Sequence, residues 1–79
     1  MTPIEIFEYK KRWQRKDSHH VRLHSDLRSR GKDFCKEQLL VQQWDFKEYT
    51  NNYEDTYLFE YKHDAQKFIN NFDSKFINQ

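Results

Sequence analysis

Apolar residues recur at helical spacing from Ile4 to Trp13, with Ile6, Tyr9 and Trp13 on one face and Ile4 and Phe7 on another. Thr2-Pro3-Ile4-Glu5 fits a capping box: Thr2 accepts from the Glu5 amide while the Glu5 carboxylate reaches back to Thr2. Pro3 falls at the first helical position, where its missing N–H costs nothing. The pattern predicts a helix from about Pro3 to Arg15, apolar on more than one side. "RKDSHH" interrupts it, and "HVRLH" then alternates as a strand does, with Val21 and Leu23 on one side. Ser25-Asp26 supplies the next N-cap. Leu27, Phe34, Cys35 and Leu39 keep helical spacing, although Gly31 in mid-helix costs about 1 kcal/mol against Ala.

Alternation returns at Trp44 and Phe46, and again at Tyr57, Phe59 and Tyr61. Asn51-Asn52 between these runs tolerate the left-handed backbone of a tight hairpin turn. Ala65, Phe68, Ile69, Phe72 and Phe76 then form a narrow stripe on a final amphipathic helix, with Asp64 placed to suit its dipole. The predicted order is α-β-α-β-β-α in a single domain over 1–79. A β-α-β crossover followed by a hairpin gives an α+β fold with a three-stranded sheet, the first strand beside the third and the second and third helices on one face. This is half of a ferredoxin-like fold without its last strand, and the first helix is free to cover what that absence exposes.

A mean hydropathy of −1.25 would by itself suggest disorder. Against that stand a net charge of only +1 and an aromatic fraction of 18%. Each buried ring removes roughly 150–250 Å² from water, so a few rings replace many aliphatic side chains. The stretch Trp44 to Lys62 holds seven of the fourteen aromatics. Base stacking on such a hairpin would need Gly and basic neighbours, but the neighbours here are Asp45, Glu48, Glu54, Asp55 and Glu60. Core is the better reading.

Charge is divided unequally. Residues 1–40 hold ten Lys/Arg against six Asp/Glu, and residues 41–79 hold four against seven. Lys10, Lys11, Arg12, Arg15, Lys16, Arg22, Arg28, Arg30 and Lys32 are therefore the candidate contact surface, for an acidic protein or for phosphates.

Chemistry is otherwise sparse. Cys35 is the single cysteine, so no internal disulfide forms, and it sits on the apolar side of its helix, where a thiol acts as a small hydrophobe. His20 and His24 are four apart, too far along a strand to share one zinc with tetrahedral geometry. Glu54-Asp55 are expected in an exposed turn. No phosphate-binding Gly loop occurs. These readings point to a non-enzymatic protein without cofactor or metal. "MTPIEIFEYKKRW" has no run apolar enough for a signal peptide and nothing approaches a membrane span, so a cytoplasmic location, without membrane contact, is the expectation.

"TPIEIFEYKKRW" and the segment from Ser25 to Phe68 resemble small proteins of marine T4-like tailed phages, the cyanophage type. The likeness is carried by Tyr53, Glu54, Thr56, Tyr57, Phe59 and Glu60, followed by Asp64, Ala65 and Phe68. It brings no activity with it. What it implies is an accessory role, in which a protein acts on host or phage enzymes or nucleic acid by binding. The sequence thus leads to a protein-binding factor acting through the basic residues, in the host cytoplasm if phage-encoded. The alternative is nucleic-acid binding through Lys10–Lys32. A further partner reading is a homodimer formed through the C-terminal helix, whose Phe76 and Ile77 extend beyond the length a small sheet needs.

Overall fold

The structure, a computed structural model, describes residues 1–72 and 76–78, with backbone alone for 49–51 and 76–78. Helix α1 (Pro3–Lys16) leads into strand β1 (His19–His24), helix α2 (Arg28–Gln38), strands β2 (Trp44–Asn51) and β3 (Glu54–Phe59), helix α3 (Lys62–Phe72) and a short strand β4 (Phe76–Asn78). The order α-β-α-β-β-α is the predicted one. The α1 capping box forms as expected, with Thr2 N donating to Glu5 Oε1 at 2.9 Å and Glu5 N to Thr2 Oγ1 at 3.2 Å.

Strand order is β2-β3-β1-β4, every neighbouring pair antiparallel, so β1 lies beside β3 as the crossover requires. The strand expected to be missing is represented by the three residues of β4, paired to the far side of β1. The apolar stripe of α3 accordingly stops at Phe72; Phe76 and Ile77 lie on β4, and their side chains fall outside the described residues.

Register explains the core. Val21 pairs with Tyr57, Tyr57 with Phe46, and Phe59 with Trp44, so these side chains share one sheet face. Against that face α2 brings Phe34 and Cys35, and α3 brings Ala65, Phe68 and Phe72. Phe68 is the hub, its ring centroid 4.6 Å from Tyr57, 5.3 Å from Phe59 and 4.8 Å from Phe72. Tyr57, Phe59 and Phe68 are all 0% exposed. The aromatic hairpin is core.

Tyr61 departs from its expected place. β3 ends at Phe59, and Tyr61 is exposed and stacks on His63 at 5.5 Å. The hairpin tip is also shifted by one residue. Continuing the Trp44↔Phe59 register unbroken would put Asn51-Asn52 at the tip. A register shift between Lys47 and Asn51 moves the turn to Asn52-Tyr53, where φ is 45° and 64°. Glu54 and Asp55, expected in that turn, belong to β3 instead, and Asp55 is 0% exposed. Nor do Ser25 and Asp26 cap α2. They open a 3-10 turn (Ser25–Leu27) capped by the His24 side chain, and the Ser25 amide donates to the Tyr53 carbonyl at 2.8 Å.

Gly31, a liability by propensity, is explained by packing. A Cβ there would stand 2.7 Å from Tyr57 Cζ and 3.0 Å from Leu23 Cδ2. The Tyr57 hydroxyl occupies that space and donates to the Arg28 carbonyl at 3.3 Å. Only a residue without a side chain lets the buried phenol reach the helix.

Candidate binding surface

The basic segment is divided by the fold. Asp45 and Leu58 pair on the sheet face opposite the core, and both Gln14 (2.7 Å) and Lys10 (3.8 Å) of α1 reach Asp45. Helix α1 therefore approaches from that second face, while α2 covers the first. It is fastened at two further points. Trp13 is buried, with its indole Nε1 donating to the Gln42 carbonyl at 2.8 Å. The Tyr9 hydroxyl donates to both Glu60 oxygens, at 3.0 and 2.8 Å. The hydrogen bond to that carboxylate, which ionisation would break, pushes the Tyr9 phenol up to about 12, with burial and the neighbouring negative charge adding to it.

Three of the nine basic residues are engaged within the fold. Arg28 clasps buried Asp55 through Nε (3.0 Å) and Nη2 (3.2 Å) and also meets Glu48. A buried carboxylate needs such a partner, and removing one member of the pair would strand the other. Lys32 lies over the Phe46 ring at 4.2 Å, and Lys10 is spent on Asp45 and on the Trp44 ring, over which its Nζ lies at 5.7 Å. Arg30 is exposed on α2, beside Asp33 and Glu37. Arg22 stands on the second sheet face, 4.0 Å from Glu54.

What the structure does bring together is Lys11, Arg12, Arg15 and Lys16, all exposed at the C-terminal end of α1. Their charges suit the helix dipole. Arg12, Arg15 and Lys16 rim a groove floored by Tyr9 and Trp13, with Glu60 at its side. Beyond them on the same helix, Phe7 and Ile4 are 60% and 72% exposed, and Lys11 Nζ lies 5.0 Å from the Phe7 ring centre. The outer side of α1 is thus apolar at its start and cationic at its end. The sequence places Ile4 and Phe7 on a helical face apart from Ile6, Tyr9 and Trp13, but the contact surface drawn from it held only the cations.

The other candidate groups have structural surroundings. Cys35 is 0% exposed, and burial pushes its thiol up to about 12, far from a nucleophilic thiolate at neutral pH. His20 bonds to Ser18 at 2.8 Å, and His24 Nδ1 accepts from the Asp26 amide. Among the described residues no three His, Cys, Asp or Glu side chains come together as a metal site, and no helix is long and apolar enough to cross a membrane. No family model, no curated protein and no solved structure matches the chain.

Proposed function

We propose that the chain is a non-catalytic binding protein, an accessory factor of the kind its phage resemblance suggests, which engages an acidic protein surface through the outer side of α1. The carrying observation is the run of exposed Lys11, Arg12, Arg15 and Lys16 continuing from exposed Phe7 and Ile4 on one helix. Cations confer steering and choice of partner, and exposed apolar side chains supply the area that a stable contact buries. A phosphate backbone would use the cations but not the apolar residues.

The test is retention of proteins from a cell lysate at physiological salt, by the immobilised chain and by a variant with Lys11, Arg12, Arg15 and Lys16 changed to Glu. The native chain retains a protein that the variant releases. Retention of no protein, or equal retention by both, contradicts the proposal. Nucleic-acid binding through the same cations is the second reading, favoured by the aromatic floor of the groove they rim. Labelled DNA and RNA titrated at two salt concentrations decide it. Phosphate-driven binding weakens with a log–log slope of about −0.9 per phosphate neutralised on duplex DNA. No binding at low salt removes that reading.

A further inference from the structure

The groove beside α1, about 420 Å³ in volume, is lined by Tyr9, Arg12, Trp13, Arg15, Lys16 and Glu60. Ordinary ligand sites hold roughly 300–1,000 Å³ and are mostly apolar, with a few charged groups that fix orientation. The floor of this one has its polar atoms already satisfied. The Tyr9 hydroxyl donates to Glu60, and the Trp13 indole donates to the Gln42 carbonyl. What it offers an occupant is carbon, from half-buried Tyr9 and from the little of Trp13 that stays exposed. An apolar group leaving water suits that floor.

Charge gives the groove a direction. Glu60 stands at the Tyr9 end, where it repels an anion. Arg15 and Lys16 stand at the other end, exposed and without an ion pair among the described residues. The α1 C-terminus adds about half a negative charge there, which two cations exceed. Lys16 lies beyond the midpoint of Tyr9 and Trp13 by about 7.5 Å along the helix, at 1.5 Å per residue. An extended peptide covers that distance in two or three residues. A nucleobase fits less well. Stacking needs an open ring face, but Trp13 is 6% exposed and the Arg12 guanidinium already lies over Tyr9, 5.7 Å from the ring centre.

We propose that this groove docks an extended acidic segment of the protein partner, with one large apolar side chain seated on Tyr9 and Trp13 and a carboxylate two or three residues away against Arg15 and Lys16. The inference rests on the reading of α1 as a contact surface for an acidic protein, and it names the part of the partner that is recognised.

The experiment is an NMR titration of the 15N-labelled chain with acetylated, amidated hexapeptides. The parents are Gly-Phe-Ser-Glu-Glu-Gly and its reverse, and the controls replace Phe by Ser or both Glu by Gln. The Trp13 indole N–H and the Lys16 amide report on the groove, and the Phe7 and Lys11 amides on the outer side of the helix. One parent gives saturable shifts at Trp13 and Lys16, and each of its controls binds about tenfold more weakly. Lys16 borders the groove and Lys11 does not. Lys16→Gln therefore weakens binding about threefold, the scale of an exposed ion pair, and Lys11→Gln by less than about twofold. Both positions are exposed, so the variants keep the fold, which the rest of their spectra verifies. Equal binding by the Ser control, or no saturable shift up to about 5 mM of either parent, overturns the proposal. A short single-stranded oligonucleotide that moves Trp13 at lower concentration than either parent assigns the groove to nucleic acid and also overturns it. Shifts confined to Phe7 and Lys11 remove the groove but leave α1 as the contact surface, and retention from lysate tests that surface independently.

Discussion

At Gly31 a helix accepts its second-worst residue because a tyrosine from the sheet needs the space. Propensity alone says that Gly31→Ala should stabilise α2 by about 1 kcal/mol. Packing reverses the sign: the new methyl meets Tyr57 Cζ and Leu23 Cδ2, and Tyr57 is fully buried with nowhere to move. Gly31→Ala is expected to destabilise by about 2 kcal/mol net in denaturant unfolding, within the range for overpacked cores. Tyr57→Phe removes the atom closest to the added methyl and should recover part of that loss, giving a favourable coupling in the double-mutant cycle. An Ala variant as stable as the native chain would mean that the phenol does not lie against the helix. Arg28 and Asp55 follow the same logic, since neither role is visible from local sequence. They lie 27 positions apart, and only the fold turns a surface-type arginine into the partner of a buried carboxylate.

The hairpin shows how an element can be legible while its detail is not. Alternating rings from Trp44 and from Tyr57 announced two strands, and Asn51-Asn52 announced the tip. The register is fixed by burying Trp44, Phe46, Tyr57 and Phe59 together, and the irregularity before Asn51 then moves the turn by one residue. The result places Tyr53, an exposed aromatic, at φ 64°. Left-handed backbone costs a residue with a Cβ about 1–2 kcal/mol, and glycine avoids that cost while losing some of the gain to a freer unfolded chain. Tyr53→Gly is therefore expected to raise stability by up to about 1 kcal/mol, with the Ser25–Tyr53 backbone bond retained. A clear loss of stability would show that the Tyr53 ring makes a packing contact the fold requires.

Across the whole molecule, strand and helix order came directly from hydrophobic period, because most elements bury one face and write that face into their sequence, whereas β3, unlike β1, is covered on both. The four-residue period of α3 also gave its core side, though not its end, since pairing of Phe76–Asn78 with β1 is a tertiary event. The basic segment was legible as composition but not as a surface. In this fold α1 and α2 lie on opposite sheet faces, which separates charges that are neighbours in sequence. Arg28, Lys32 and Lys10 then serve the fold, and Lys11, Arg12, Arg15 and Lys16 stay together, exposed, on α1. All of this depends on the large rings being enclosed, because so few aliphatic side chains are present to replace them. Solvent paramagnetic relaxation, measured on the aromatic protons with a soluble neutral probe, tests it most directly. Tyr57, Phe59 and Phe68 should be almost unaffected, while Phe7, Tyr53 and Tyr61 are strongly broadened; broadening of Tyr57 and Phe59 comparable to that of Tyr53 would contradict the enclosed core.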